Sequence, residues 1–221
     1  MFRLKIYTAE LLSALQKAFG ERLVYLGLQG SYLRNEQNEN SDIDIMLVID
    51  KLSANDLACY RNILTAIGYY EKSCGFVCGK AELANWNPLE ICHILHTTKD
   101  LYGTLSELVP DYSREDIKNY IKLSLGNLYH ALCHRYIHAD KENNIAKLPL
   151  MYKSVFFILQ NIYYLENNVF CNSKNDLTNL LDGKSKEVML VSRDIQKNAE
   201  YDFDYAFDLI FSWCQEAMNK L

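Results

Sequence analysis

The chain has 221 residues, 49% hydrophobic and 23% charged, with nine glycines and three prolines. That is enough for one large domain or two small ones around a real core, and it excludes general disorder, collagen-like repeats and low-complexity chains. The net charge of −5 argues against a broad basic face for duplex or other long nucleic acid, though it leaves room for a local basic pocket.

No apolar run approaches the roughly 20 residues of a transmembrane helix. The opening Met1-Phe2-Arg3-Leu4-Lys5 lacks the apolar core of a signal peptide. The expectation is a cytoplasmic protein. Seven cysteines, odd in number and scattered, argue against a disulfide framework. Cys74 and Cys78 stand four apart with no second pair to complete a zinc site, so the cysteines read as buried free thiols.

In chain order, Thr8–Phe19 reads as an amphipathic helix with Thr8 as N-cap and Gly20 just past its end. Arg22–Leu28 reads as a strand rich in Leu, Val and Tyr. A Gly30-Ser31 turn and a polar loop to Ser41 lead into a strand over Asp42–Ile49. Ser53, with Asp56 three residues on, opens a helix that Gly68 ends. Cys74–Cys78 reads as a short strand, Ala81–Asn85 as a helical turn before Pro88, and Glu90–Leu95 as another strand. Beyond Pro110 the texture changes. Ser113 with Asp116 opens a helix of about 25 residues with the apolar stripe Ile117, Ile121, Leu125, Leu128, Leu132 and Tyr136. Further helices follow at about Leu148–Glu166, Asp176–Leu181, Lys184–Gln196 and Tyr201–Lys220. The fold class is therefore α+β, an α/β-type domain with a small mixed sheet over residues 1–108, followed by an all-helical bundle over 109–221. Glu107–Ser113 is the linker, and a substrate cleft is expected at the domain boundary.

The chemistry concentrates in Leu26-Gly-Leu-Gln-Gly-Ser-Tyr-Leu-Arg-Asn-Glu-Gln-Asn-Glu-Asn-Ser-Asp-Ile-Asp-Ile-Met-Leu-Val-Ile49. A strand ends at a Gly-Ser turn, and Asp42 and Asp44 begin the next strand. Side chains two apart on a strand share a face. Two carboxylates side by side repel unless a cation sits between them. Magnesium takes oxygen ligands, commonly one or two carboxylates plus substrate phosphates. Gly30 and Ser31 offer backbone N–H groups, a hydroxyl and room for close approach. Together they make a site for a triphosphate bridged by Mg2+ to Asp42 and Asp44.

Gly-Ser followed by Ser-Asp-Ile-Asp-Ile resembles the signature of the DNA polymerase β-type nucleotidyltransferases. The layout is similar to that of small bacterial members related to the aminoglycoside nucleotidyltransferases. The motif covers residues 26–49, and the order of elements extends the resemblance to about residue 108. Cys74–Trp86 and Met151–Gln160 also look like segments of bacterial proteins that carry this domain. The resemblance implies transfer of a nucleoside monophosphate from a nucleoside triphosphate, ATP first, to a hydroxyl of a small molecule or a protein. It implies Asp42 and Asp44 as catalytic metal ligands. Gly30, Ser31, Ser41 and Arg34 would lie on the nucleotide, with Lys153 from the helical domain over the triphosphate.

The family supplies a third carboxylate from the strand after the next helix. Here the corresponding slot falls near Gly75, which has none. Glu71 lies about 13 Å away along the strand, Glu90 begins the next expected strand, and Glu82 is favoured to reach back. The gap keeps open a nucleotide-binding or regulatory module with impaired catalysis, and the resemblance also leaves open a toxin–antitoxin-type protein modifier. His130, His134 and His138 lie four apart along one helix face, too long a row for one ion to touch all three. With His93 and His96 elsewhere, they read as a polar face or a metal site. An antibiotic acceptor follows from fold-level analogy alone.

Overall fold

A computed structural model describes residues 2–197 and 200–221; Met1, Asn198 and Ala199 lie outside the described residues. The chain divides into two compact units, one ending at Tyr112 and the other beginning at Ser113.

The first unit runs α1 (Leu4–Phe19), β1 (Leu23–Leu28), α2 (Gly30–Leu33), β2 (Ile43–Ile49), α3 (Ala54–Ile67), β3 (Ser73–Gly79), α4 (Lys80–Ala84), α5 (Pro88–His96) and β4 (Lys99–Tyr102). Its four-stranded sheet has the order β3-β2-β1-β4. β1 is antiparallel to β2 and β4, whereas β2 and β3 are parallel and in register from Ile43↔Ser73 to Ile49↔Gly79.

β2 is apolar on both faces because both faces are covered. Ile43, Ile45, Leu47 and Ile49 pack with Leu26 and Leu28 under Leu11 and Leu15 of α1 and Tyr60 and Leu64 of α3. Met46 and Val48 face the other way, with Tyr25, Cys78 and Leu83 of α4, and α5 adds the partly buried Ile94 and Leu95. Asp44 shares the parity of Met46 and Val48, so it lies on that second face, at the end where β2 begins.

Helix α3 starts where the sequence says it should. Ser53 and Asp56 form a reciprocal capping box. The Arg22 guanidinium also clamps the Asp56 carboxylate at 3.0 and 2.7 Å and, with Ser53, holds it well below the usual carboxylate range.

Several local expectations need correction. Helix α1 begins a turn before Thr8, whose hydroxyl instead donates to the Lys5 carbonyl at 3.3 Å. The expected strand Glu90–Leu95 is helix α5. Pro88 sits in its first turn, where its missing N–H costs nothing, and the Asn87 side chain accepts the Leu89 N–H at 3.1 Å. The true fourth strand follows at Lys99–Tyr102, tied to the sheet by antiparallel pairing with β1. The cysteines are free, but only Cys78, Cys92, Cys171 and Cys214 are buried; Cys74 is exposed.

The second unit comprises α6 (Arg114–His138), α7 (Lys141–Asn167), α8 (Lys174–Leu180), α9 (Gly183–Ile195) and α10 (Phe203–Lys220). The Ser113/Asp116 capping box opens α6, which buries Ile117, Ile121, Leu125, Leu128 and Leu132. Tyr136 departs from that stripe: it is exposed and lies against Phe207, ring centres 4.6 Å apart. Helix α7 starts about two turns before Leu148. Asp140 caps it by accepting the Asn143 N–H at 2.8 Å, and the helix continues through Pro149. The Tyr152 hydroxyl donates to the Ala206 carbonyl at 2.6 Å, joining α7 to α10 inside the core.

Candidate active site

The site is built where β1 ends and β2 begins. These strands are antiparallel, with Leu28 opposite Ile45, so the segment leaving β1 passes over the first residues of β2. The Gln29 N–H donates to the Asp44 carbonyl at 2.9 Å and holds the crossing close. Gly30 then adopts φ +71°, a left-handed conformation that glycine reaches without penalty. A Cβ there would stand 1.8 Å from Asp44 Oδ2. Gly30 therefore permits the Asp44 carboxylate to lie directly against the backbone that starts α2. The N–H groups of that first turn have no intrahelical partners.

Asp44 is half-buried and Asp42, just before β2, is exposed. Burial raises the Asp44 carboxyl above its ordinary value, and the charge of Asp42 adds to the rise. A hydrogen bond from the Cys74 thiol and the positive charge of Arg34 pull it the other way. Cys74 is the register partner of Asp44 on β3. The position facing Asp44 is thus 74 rather than 75. Gly75 pairs with Ile45 at φ +138°, with no room for a side chain. Sequence reasoning missed Cys74 because parallel register is not a local property of either strand.

Arg34 is largely buried and pairs with Glu36, Nε to Oε2 3.1 Å. It also acts on His93 in the last turn of α5. Burial, helped by Arg34 and His96, pushes the His93 imidazole down to about 4. In the unfolded chain a histidine titrates near 6.5. Between those values only the unfolded chain binds the proton, so His93 costs stability as pH falls from about 6.5 to about 4, by up to about 1.4 kcal/mol per pH unit. Urea midpoints at about pH 7 and about pH 5 should therefore differ less in His93→Gln than in the parent, and parallel behaviour would refute the assignment.

The remaining predicted residues of the first unit have other partners or places. The Ser41 hydroxyl accepts the Asn38 N–H at 2.8 Å, closing the loop turn. Glu82 is exposed and lies against Gly79, at the far end of β3 from Cys74. Five residues of strand separate those ends, about 16 Å, so Glu82 does not join Asp44. Glu90 instead accepts the Trp86 indole N–H at 2.8 Å, and Glu71 lies in the turn before β3. Lys153 is exposed on α7 in the second unit. Among the described residues no group of three or more His, Cys, Asp or Glu converges to hold a metal. The donors present at the site are the two aspartates, an oxygen set that suits magnesium completed by phosphate and water.

Residues 9–123 match the family model for the nucleotidyltransferase domain, over half of the chain. The chain belongs to this family. It is a nucleotidyltransferase-domain protein of the DNA polymerase β type, with a helical unit after the domain. Solved structures are similar to the chain in fold. The spectinomycin adenyltransferase AAD(9) from Enterococcus faecialis, solved with ATP and spectinomycin, superposes with a TM-score of 0.59 at 15% identity, covering 97% of this chain and 99% of that one. A toxin–antitoxin structure with AMP-PNP matches at a TM-score of 0.32 and 19% identity, over 58% of this chain and 91% of that one. No curated protein matches the sequence. No helix among the described residues of this nucleotidyltransferase-domain protein is long and apolar enough to cross a membrane.

Proposed function

We propose that the protein transfers a nucleoside monophosphate from a nucleoside triphosphate, ATP first, to a hydroxyl of a small molecule. The observation that carries this reading is the close approach of Gly30 to Asp44, which sets the Asp44 carboxylate against the backbone that opens α2 in a nucleotidyltransferase domain. In the proposed site Asp42 and Asp44 hold Mg2+, and the backbone and hydroxyl of Gly30 and Ser31 hold phosphate. When bound, Mg2+ neutralises the triphosphate charge as it shifts toward pyrophosphate. The acceptor oxygen bonds to the α-phosphorus, the bond to the bridging oxygen breaks, and pyrophosphate and the hydroxyl proton leave. Catalysis of this kind rests on positioning and electrostatics.

Arg34 lies beside Asp44 and is already engaged by Glu36. Its proposed role is to temper the charge around Asp44 more than to grip phosphate. The fold likeness to a spectinomycin adenyltransferase makes spectinomycin the first acceptor to screen. The neutral Cys74 beside Asp44 favours a second reading, nucleotide binding without turnover.

A thermal-shift panel of ATP, GTP, CTP and UTP, with and without Mg2+, separates these. One triphosphate at about 100 times its Kd should add about 2.7 kcal/mol of stability in the presence of Mg2+. Asp42→Asn with Asp44→Asn should lose that shift entirely. No shift with any triphosphate overturns the site. A shift without pyrophosphate release across the acceptor screen selects the binding module.

A further inference from the structure

Helix α6 ends in a ladder of three exposed histidines to which the proposed function assigns no role. His130 and His134 have ring centres 5.9 Å apart, and His134 and His138 have centres 4.8 Å apart. Imidazole is a ligand for copper, nickel and zinc, and two histidines at i, i+4 lie on one helix face. The ring-centre distances favour one pair over the other. A metal sits about 2.0–2.1 Å from each nitrogen, and a ring nitrogen lies roughly 1.1 Å from the ring centre, so adjacent ligands place their centres about 4.5 Å apart at a right angle and about 5.2 Å apart at the tetrahedral angle. The 4.8 Å of His134–His138 falls between these limits. The 5.9 Å of His130–His134 lies outside them.

From this geometry we propose that His134 and His138 form a two-imidazole site for a borderline divalent cation of the copper, nickel and zinc class, with water in the remaining positions. The rest of the helix end supports it. His138 is the last residue of α6, where the partial negative charge of the terminal carbonyls favours a cation. That end is held in shape before any ion arrives. The Arg135 guanidinium donates to the Asn143 carbonyl at 3.1 Å, and the Asn144 amide donates to the Arg135 and Ala139 carbonyls at 3.1 and 3.3 Å. Little ordering is left for the metal to drive. Magnesium prefers oxygen ligands, so the histidine pair is not expected to take it.

The test is calorimetric titration of the untagged full-length chain with Ni2+. Cys74→Ser serves as the background, to remove an exposed thiol that would also take soft metals. One Ni2+ should bind per chain. His134→Ala and His138→Ala should each weaken it by roughly tenfold or more, whereas His130→Ala should leave it unchanged. Excess Mg2+ should not compete. Equal binding by His138→Ala, or equal loss in His130→Ala, overturns the proposal. Because these are exposed positions, all three variants should keep the parent's melting temperature without metal, and only the parent and His130→Ala should gain stability on adding Ni2+.

Discussion

Gly30→Ala should abolish magnesium-dependent nucleotide binding while leaving the first unit folded. The new Cβ would stand 1.8 Å from Asp44 Oδ2, 2.6 Å from its Cγ and 3.0 Å from its Cβ. All three are side-chain atoms of one residue, so the collision resolves by swinging the Asp44 carboxylate aside. The strand that carries it stays in place. What remains is the strain of a non-glycine residue at φ +71°, about 1–2 kcal/mol. That is a modest stability loss beside the loss at the site, where an Asp44 carboxylate swung aside no longer lies against the turn at Gly30. Gly20→Ala is the matched control. It also has positive φ, +55°, yet nothing lies within 4 Å of its Cβ. The two variants should soften similarly in urea, but only Gly30→Ala should lose the thermal shift given by Mg2+ and triphosphate. Full retention of that shift in Gly30→Ala would remove Asp44 from the nucleotide site.

The parts of the fold legible in the sequence are those whose signals are local. The capping boxes at Ser53 and Ser113 are both formed, because each needs only residues three apart. The Gly30/Asp44 meeting was legible for a related reason: a strand, a short loop and a second strand leave few ways to fold back. The misread Glu90–Leu95 had its own local signal in Asn87-Pro88-Leu89-Glu90, an N-cap and first-turn proline. The apolar run Ile91, Cys92, Ile94 and Leu95 outweighed it, since a buried helix and a buried strand share such a run.

What sequence could not yield is register. Whether position 74 or 75 faces Asp44 depends on pairing between β2 and β3, whose strands are separated by all of α3. A one-residue slip sends every side chain to the opposite face. The same limit explains Glu82, close to Gly75 along the chain but about 16 Å beyond Cys74 in strand length. Arg34 illustrates a third case. Its loop position suggested phosphate, but the charge of Glu36, two residues on, decides its pairing.

Gly75→Ala should be among the most destabilising single substitutions in the first unit, and its damage should fall on folding. A Cβ at 75 would stand 1.9 Å from the Ile45 carbonyl oxygen, 2.6 Å from its nitrogen and 2.7 Å from its carbonyl carbon. These are backbone atoms of the central strand, so no rotamer relieves the overlap. The contact can open only by parting β2 from β3 or by moving Gly75 out of φ +138°, and either breaks the parallel ladder from Ile43↔Ser73 to Ile49↔Gly79. A loss of about 4 kcal/mol or more is expected, a large share of the roughly 5–15 kcal/mol that a domain possesses. Gly68→Ala separates the two causes. It shares a positive φ, +86°, but its Cβ would meet nothing within 4 Å, so it should cost only the conformational strain of about 1–3 kcal/mol. The readout is built into the molecule. Of the two tryptophans, Trp86 belongs to the first unit and packs edge-on against Phe76, ring centres 4.9 Å apart, one residue from the substitution. In a Trp213→Phe background, Trp86 fluorescence reports the first unit alone through urea unfolding. A midpoint shift in Gly75→Ala no larger than in Gly68→Ala would mean that β3 relaxes without leaving the sheet, and that close backbone approach at Gly75 is not what seats Cys74 beside Asp44.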